Sequence, residues 1–148
     1  MAIIIREANI NDLNPLSTIF DHYRIFYHKE SDVTAVSDFL FQRMNNKEST
    51  IFIAMEDDKI IGFVQLYPLF SSTRMKRLLL LNDLFVAENH RGKGVSTLLI
   101  ERSKTLCREV DACGLMLETA KSNTIGNILY PKTGFVLDEE HNYYSWDR

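Results

Sequence analysis

"LNDLFVAENHRGKGVSTLLIE", residues 81–101, passes from an apolar run through a glycine-spaced basic segment into a stretch with helical apolar spacing. Val95, Leu98, Leu99 and, further on, Leu106 fall on one helical face, so the residues predict strand, turn and helix in that order. The first turn of a helix leaves about four backbone N–H groups without intrahelical partners and carries partial positive charge, which suits it to an anion. Gly92 and Gly94 let the main chain approach closely, and Arg91 and Lys93 add charge. A nucleotide P-loop needs GxxxxGK[ST], but here Lys93 alone separates the glycines. A dinucleotide fingerprint needs GxGxxG, and Thr97 stands where its third glycine belongs.

Outward from this turn the chain reads as βααβββαβαββ. "IIIREA" (residues 3–8) is β-branched and predicts a strand, with Asn11 and Asp12 offering cap chemistry to a helix over about 13–27. A second helix follows over about 33–46. "STIFIAMEDDKIIGFVQLYPLF" predicts a hairpin turning at "EDDK", and a further strand covers residues 77–86. After the glycine turn and its helix, "GLMLETA" (114–120) predicts a strand parallel to residues 77–86. "SNTIGNILYPKTGF" predicts a short helix ended near Gly134, and the tail predicts two strands around "DEEH". The expectation is one α/β domain over residues 1–148, with a mixed sheet flanked by helices.

Composition bounds the function. The 148 residues suffice for one core, and 45% hydrophobic with 25% charged residues is an ordinary globular balance. A net charge of −3 argues against a general nucleic-acid binder, which needs a basic surface. No apolar run approaches the roughly 20 residues that cross a bilayer, and the first ten residues do not read as a signal peptide, so a cytoplasmic protein with no membrane partner is expected. Cys107 and Cys113 make no disulfide framework, and neither sits beside a histidine that would activate a thiol. The four histidines show no ligand spacing, so no metal is expected.

With Arg91, Gly94 and the residues around them in place, the chain resembles the GNAT superfamily of N-acetyltransferases, whose signature is Arg/Gln-x-x-Gly-x-Gly/Ala at such a junction. Ser96 departs mildly at the last position. "LNDLFV" resembles the family's preceding strand. "LETAKSNTIGNILYPKTGF" resembles its next strand and helix, with Asn123, Tyr130, Gly134 and Phe135 at matching spacing. The likeness extends over about residues 50–136 and leans toward the branch that includes histone and polyamine acetyltransferases.

The resemblance implies a GNAT-like fold: a mostly antiparallel sheet with a splayed parallel strand pair, flanked by about four helices. It implies acetyl-CoA as cosubstrate, held by main-chain groups of Leu84, Phe85 and Val86 and by Arg91, Gly92, Lys93, Gly94, Val95, Ser96 and Thr97 around its diphosphate. Asn123 would hold the pantetheine arm and Tyr130 would stand by the sulfur.

Acetyl transfer to an amine needs a base, an oxyanion donor and an acid. The candidates are Asp83, the Leu84 N–H and Tyr130, with Glu118 a weaker base. Asn82 stands where polyamine-acetylating relatives carry a carboxylate. Asp83 should point to the opposite face of a regular strand, unless a bulge reverses it. The expected acceptor is a primary amine of a small cationic molecule (polyamine, amino acid or lysine-like amine) or of a peptide; the acidic loop "HKESD" with Tyr27, Glu30 and Asn82 supplies candidate contacts, with Tyr23, Tyr67 and Phe70 as further aromatics. The alternative is a non-catalytic acyl-CoA sensor. The aromatic tail "NYYSWDR" suits pairing in a homodimer.

Overall fold

Residues 2–148 are described by a computed structural model. The elements run β1 (Ile4–Glu7), α1 (Leu13–Phe26), α2 (Val33–Asn45), β2 (Thr50–Glu56), β3 (Lys59–Ser71), β4 (Lys76–Val86), α3 (Val95–Glu109), β5 (Leu115–Met116) and α4 (Thr124–Lys132). Five strands form one sheet in the order β1-β2-β3-β4-β5, antiparallel until β5, which runs parallel to β4. The chain divides into two compact units: Met1–Glu118, with the whole sheet and α1 to α3, and Thr119–Arg148, with α4 and the tail.

The β2–β3 hairpin turns through Asp57 and Asp58, both at positive φ (51° and 62°), the backbone that matches the twist of two antiparallel strands. Alternation then sorts the side chains. Ile51, Ile53 and Phe63 meet Leu16, Ile19 and Phe20 of α1 and Val36 and Leu40 of α2 in one buried cluster. Phe20 stacks on Phe63 with ring centroids 5.1 Å apart. Phe52 belongs to the other face, where the Arg102 guanidinium of α3 lies 4.3 Å from its ring centroid.

Gly62 marks the close approach of α3. A Cβ there would lie 2.9 Å from the Phe85 carbonyl oxygen and 3.4 Å from Val95 Cγ1, so the absence of a side chain lets β3, β4 and the first turn of α3 meet.

Three expectations are corrected. The start of α1 is not capped by Asp12, whose carboxylate instead takes a bidentate pair from Arg6 (both 2.8 Å) and the Asn9 N–H; Asn9 caps the preceding 3-10 turn. The strand expected over 114–120 is only Leu115–Met116, since β4 offers it partners only at Leu79 and Leu80. The two tail strands do not form: among the described residues no strand lies beyond Met116. Their turn does form, with Asp138 accepting from the Glu140 and His141 N–H groups and the Tyr143 hydroxyl and contacting the His141 ring.

Candidate active site

The site begins with an irregularity in β4. Gln65 pairs with Asp83 but Leu66 pairs with Leu81, so Asn82 is an extra residue in the register. An inserted residue reverses which face the following side chains take. Leu81 therefore shares the face of Leu66, while Asp83 shares that of Gln65 and of the α1–α2 core. The bulge that would bring Asp83 round is present.

Asp83 is 7% exposed, and three donors hold it. The Tyr23 hydroxyl donates to Oδ1 at 2.9 Å; the Gln65 and Asn82 side-chain amides donate to Oδ2 at 2.8 and 3.1 Å. Fully buried Gln65 is a site residue that sequence reading missed, although a glutamine amid the apolar "GFVQLYP" was its signal. Its Oε1 is buried without a hydrogen-bond partner. Glu118, the other carboxylate considered, is exposed.

Asp83 and Asn82 border a cavity of about 490 Å³ between α1, α2 and the sheet. Tyr23, Tyr27, Phe39 and Tyr67 form its aromatic walls. Burial and then the Asp83 charge push the Tyr67 phenol up to about 12, against a smaller pull from Arg43, so its hydroxyl stays protonated. Of the residues expected to meet the acceptor, Tyr27 and Asn82 line the cavity, while Glu30 does not. The segment holding Glu30 is committed locally: Ser31 and the Asp32 N–H bind Asp21, Asp32 caps α2, and the Glu30 carbonyl accepts from Arg24. Phe70 is 71% exposed and stands outside the cavity lining, under Arg77. Arg24 and Lys29, which sequence patterning did not single out, contribute two cations to the wall. A larger hollow of about 690 Å³ touches neither Asp83 nor residues 91–97.

Beside Asp83, β4 continues through Leu84, Phe85 and Val86 with no partner on the β5 side, since β5 pairs no further than Leu80. That half-strand is where the expected splay opens. Past it, Gly92 and Gly94 take positive φ (77° and 80°), and a Cβ at either would meet nothing within 4 Å. Gly94 begins α3 without any side-chain cap, which leaves the first-turn amides to another acceptor. Lys93 and Thr97 are exposed, Ser96 is half-buried, and Val95 is buried as the anchor of the helix.

Arg91 is exposed, yet its side chain is anchored to the fold. Its Nε donates to the Val86 carbonyl at 2.9 Å, and its guanidinium lies 5.1 Å from the Phe26 ring centroid and 5.3 Å from that of Phe85. It thereby ties the turn to β4 and α1, while Lys93 makes a second exposed cation of the turn. In the second unit, the Asn123 side chain caps α4 through the Gly126 N–H (3.1 Å) and donates to Thr119 Oγ1 (2.8 Å). Tyr130 meets Phe135 edge to face with centroids 5.7 Å apart.

No helix among the described residues is long and apolar enough to cross a membrane, and no group of metal-ligating side chains occurs among them. Burial pushes the Cys107 thiol up, away from the reactive thiolate form.

A strand opening, a glycine turn at an uncapped helix and an adjoining cavity with a buried carboxylate make up the candidate site, and the chain belongs to the acetyltransferase (GNAT) family, whose model matches residues 15–135. It is an N-acetyltransferase that uses acetyl-CoA as cosubstrate. Over 140 residues it is 39% identical to an uncharacterized N-acetyltransferase, YhfO, of Bacillus subtilis, covering 95% of this chain and 94% of the relative. A probable acetyltransferase of Haemophilus influenzae is 35% identical over 117 residues, 78% of each chain. Among solved structures, a probable acetyltransferase superposes with a TM-score of 0.92 at 35% identity, covering 100% of this chain and 98% of that one. A predicted acetyltransferase of Clostridium acetobutylicum, solved with acetyl-CoA, shares the fold at a TM-score of 0.79 and 19% identity, covering 97% and 96%. The acyl-CoA sensor alternative gives way to an enzyme.

Proposed function

We propose that the acetyl group passes directly to the primary amine of a small acceptor seated in the 490 Å³ cavity. The observation that carries this is the Asn82 bulge: it turns a buried carboxylate, Asp83, toward the acceptor side, next to the stretch of β4 that pairs with β3 but not with β5. Acetyl-CoA supplies an activated thioester. The amides of residues 92–97 and the Lys93 ammonium hold its diphosphate, and Arg91 keeps that turn in shape. Main-chain groups of Leu84, Phe85 and Val86 align the acyl arm, with the Leu84 N–H donating to the oxygen that gains charge. As the amine nitrogen bonds to the acetyl carbon and the carbon–sulfur bond breaks, Asp83 accepts the amine proton and Tyr130 gives one to the departing thiolate. Asn123 acts by holding the start of α4 and presenting its surroundings to the pantetheine.

Acetyl-CoA consumption against polyamines, amino acids, aminoglycosides and basic peptides, with product mass measured, tests this reading; no turnover with any amine sinks it. The names of fold neighbours support small-molecule acceptors, since one acetyltransferase was solved with the aminoglycoside sisomicin. Tyr130→Phe is expected to lower kcat by about a hundredfold or more, and full turnover in that variant removes Tyr130 from the chemistry.

Three features of the whole protein belong to the same proposal. The two compact units act as one domain, in keeping with a family match that runs through both. The enzyme works where its two free cysteines stay reduced, as in cytoplasm. It acts as a homodimer through the tail, where Val136, Leu137, Tyr144 and Trp146 are 77–91% exposed.

A further inference from the structure

The charges on the cavity wall are not those of a polyamine site. Asp83 is its one carboxylate, and three donors already occupy it. Against it stand Arg24 and Lys29 on the same wall; Arg43, near enough to act on the Tyr67 phenol, lies outside the lining and is itself paired with Glu48 at 3.1 Å. The carboxylates nearby in sequence do not offset them at the wall. Asp21 is 3% exposed and turned to Ser31 and the Asp32 N–H, with Arg24 acting on it only through space, and neither it nor Glu30 lines the cavity. Arg24 spends one N–H on the Glu30 carbonyl at 3.2 Å; the Lys29 backbone N–H donates to the Arg24 carbonyl at 3.0 Å, while its ammonium has no ion-pair or hydrogen-bond partner among the described residues. Between these charges the lining is aromatic, formed by Tyr23, Tyr27, Phe39 and Tyr67.

We infer that the acceptor is an amino acid-like zwitterion: a primary amine and an anionic group joined by an apolar body. The amine faces Asp83 and Asn82, the anionic group meets Arg24 and Lys29, and the apolar body lies on the aromatic walls. This rests on the reading of the cavity as the acceptor site. A guanidinium with free N–H groups grips a carboxylate or a phosphonate by the same fork, with an ammonium as a second point charge. A molecule bearing several ammonium groups would set one of them against Arg24 or Lys29, and like charges there count against it. A cavity of about 490 Å³ holds a small amino acid with room to spare.

The test uses the full chain and matched probes: DL-phenylalanine, its amide, an aminoalkyl phosphonate, phenethylamine and spermidine. Turnover by acetyl-CoA consumption and binding by calorimetry are both measured. DL-phenylalanine or the phosphonate is expected to exceed phenethylamine and the amide in kcat/KM by about tenfold, the scale of one charge-assisted contact, and the better of the two identifies the anion. Lys29→Glu is expected to bring that ratio close to one, chiefly through KM. Arg24→Gln should do likewise, and because Arg24 also holds the Glu30 carbonyl, Lys29→Glu is the decisive variant. Preference for spermidine, or an unchanged ratio in Lys29→Glu, overturns the inference. Should no amine consume acetyl-CoA, the transfer reading falls. Tighter binding of DL-phenylalanine than of phenethylamine, weakened by Lys29→Glu, still upholds the anion site, and equal binding overturns it.

Discussion

Asp83 shows how much one residue's neighbours decide. Its carboxylate accepts hydrogen bonds from Tyr23, Gln65 and Asn82, which fix its orientation on the cavity wall. Asp83→Asn keeps the shape and removes the proton acceptor, so kcat is expected to fall by about 10²–10⁴ with every amine, while acetyl-CoA affinity by titration stays close to that of the parent. Retained turnover would assign the proton to water alone. The carboxylates that hold the scaffold act differently. Arg6 holds the Asp12 carboxyl below the usual range, with burial opposing, and Ser31 and the Asp32 N–H do the same for Asp21. A carboxylate whose folded pKa is depressed stabilises the fold fully above its unfolded value of about 3.9, and that stability drains as pH falls through the lower folded value. Urea midpoints are therefore expected to hold from pH 7 to about 5 and to drop below about 4. Asp12→Asn should be less stable at pH 7 and show a smaller acid-induced loss. An equal loss would detach Asp12 from it.

At the scale of elements, the turn from β4 into α3 depends on backbone that side chains resist. Gly94 at φ 80° has open space for a Cβ, so Gly94→Ala tests conformation and not crowding. The left-handed backbone costs an alanine about 1–2 kcal/mol. The variant is expected to unfold at lower urea and, where the turn relaxes, to bind acetyl-CoA several-fold more weakly; unchanged affinity with lowered stability would show that the turn's shape does not hold the diphosphate. This turn was legible in the residues because two glycines, flanking cations and a following apolar period all describe one local geometry. The anchoring of Arg91 was not, since it depends on Phe26 of α1 and on Phe85, brought together only when helix and sheet pack. The bulge at Asn82 was legible only as an alternative: register is a property of two strands, and β4 alone cannot state its offset from β3.

Over the whole molecule, the tail stands out by its exposed aromatic side chains. Its turn at 138–141 is locally satisfied, with His141 foremost in holding the Asp138 carboxyl down to about 2, yet the arms beside it leave Tyr144 and Trp146 90% and 86% exposed. Pairing with a second copy would cover them. Sedimentation of the full chain is expected to give a dimer, and Tyr144→Ser with Trp146→Ser is expected to shift it toward monomer. A parent that sediments as a monomer at micromolar concentration removes the homodimer from the proposal.

The residues by themselves determined the order of elements as far as α4, the hairpin, the glycine turn and, through the resemblance they carry, the family. Each of those is written within a few neighbouring positions, where backbone propensity and periodicity act. Only tertiary structure decided that Asp83 faces the cavity between α1, α2 and the sheet, that Asp32 in the segment holding Glu30 caps α2, and that Arg24 and Lys29 lie on that cavity's wall. Those outcomes depend on strand register and on helices meeting a sheet, and contacts between distant residues have no signature in local spacing.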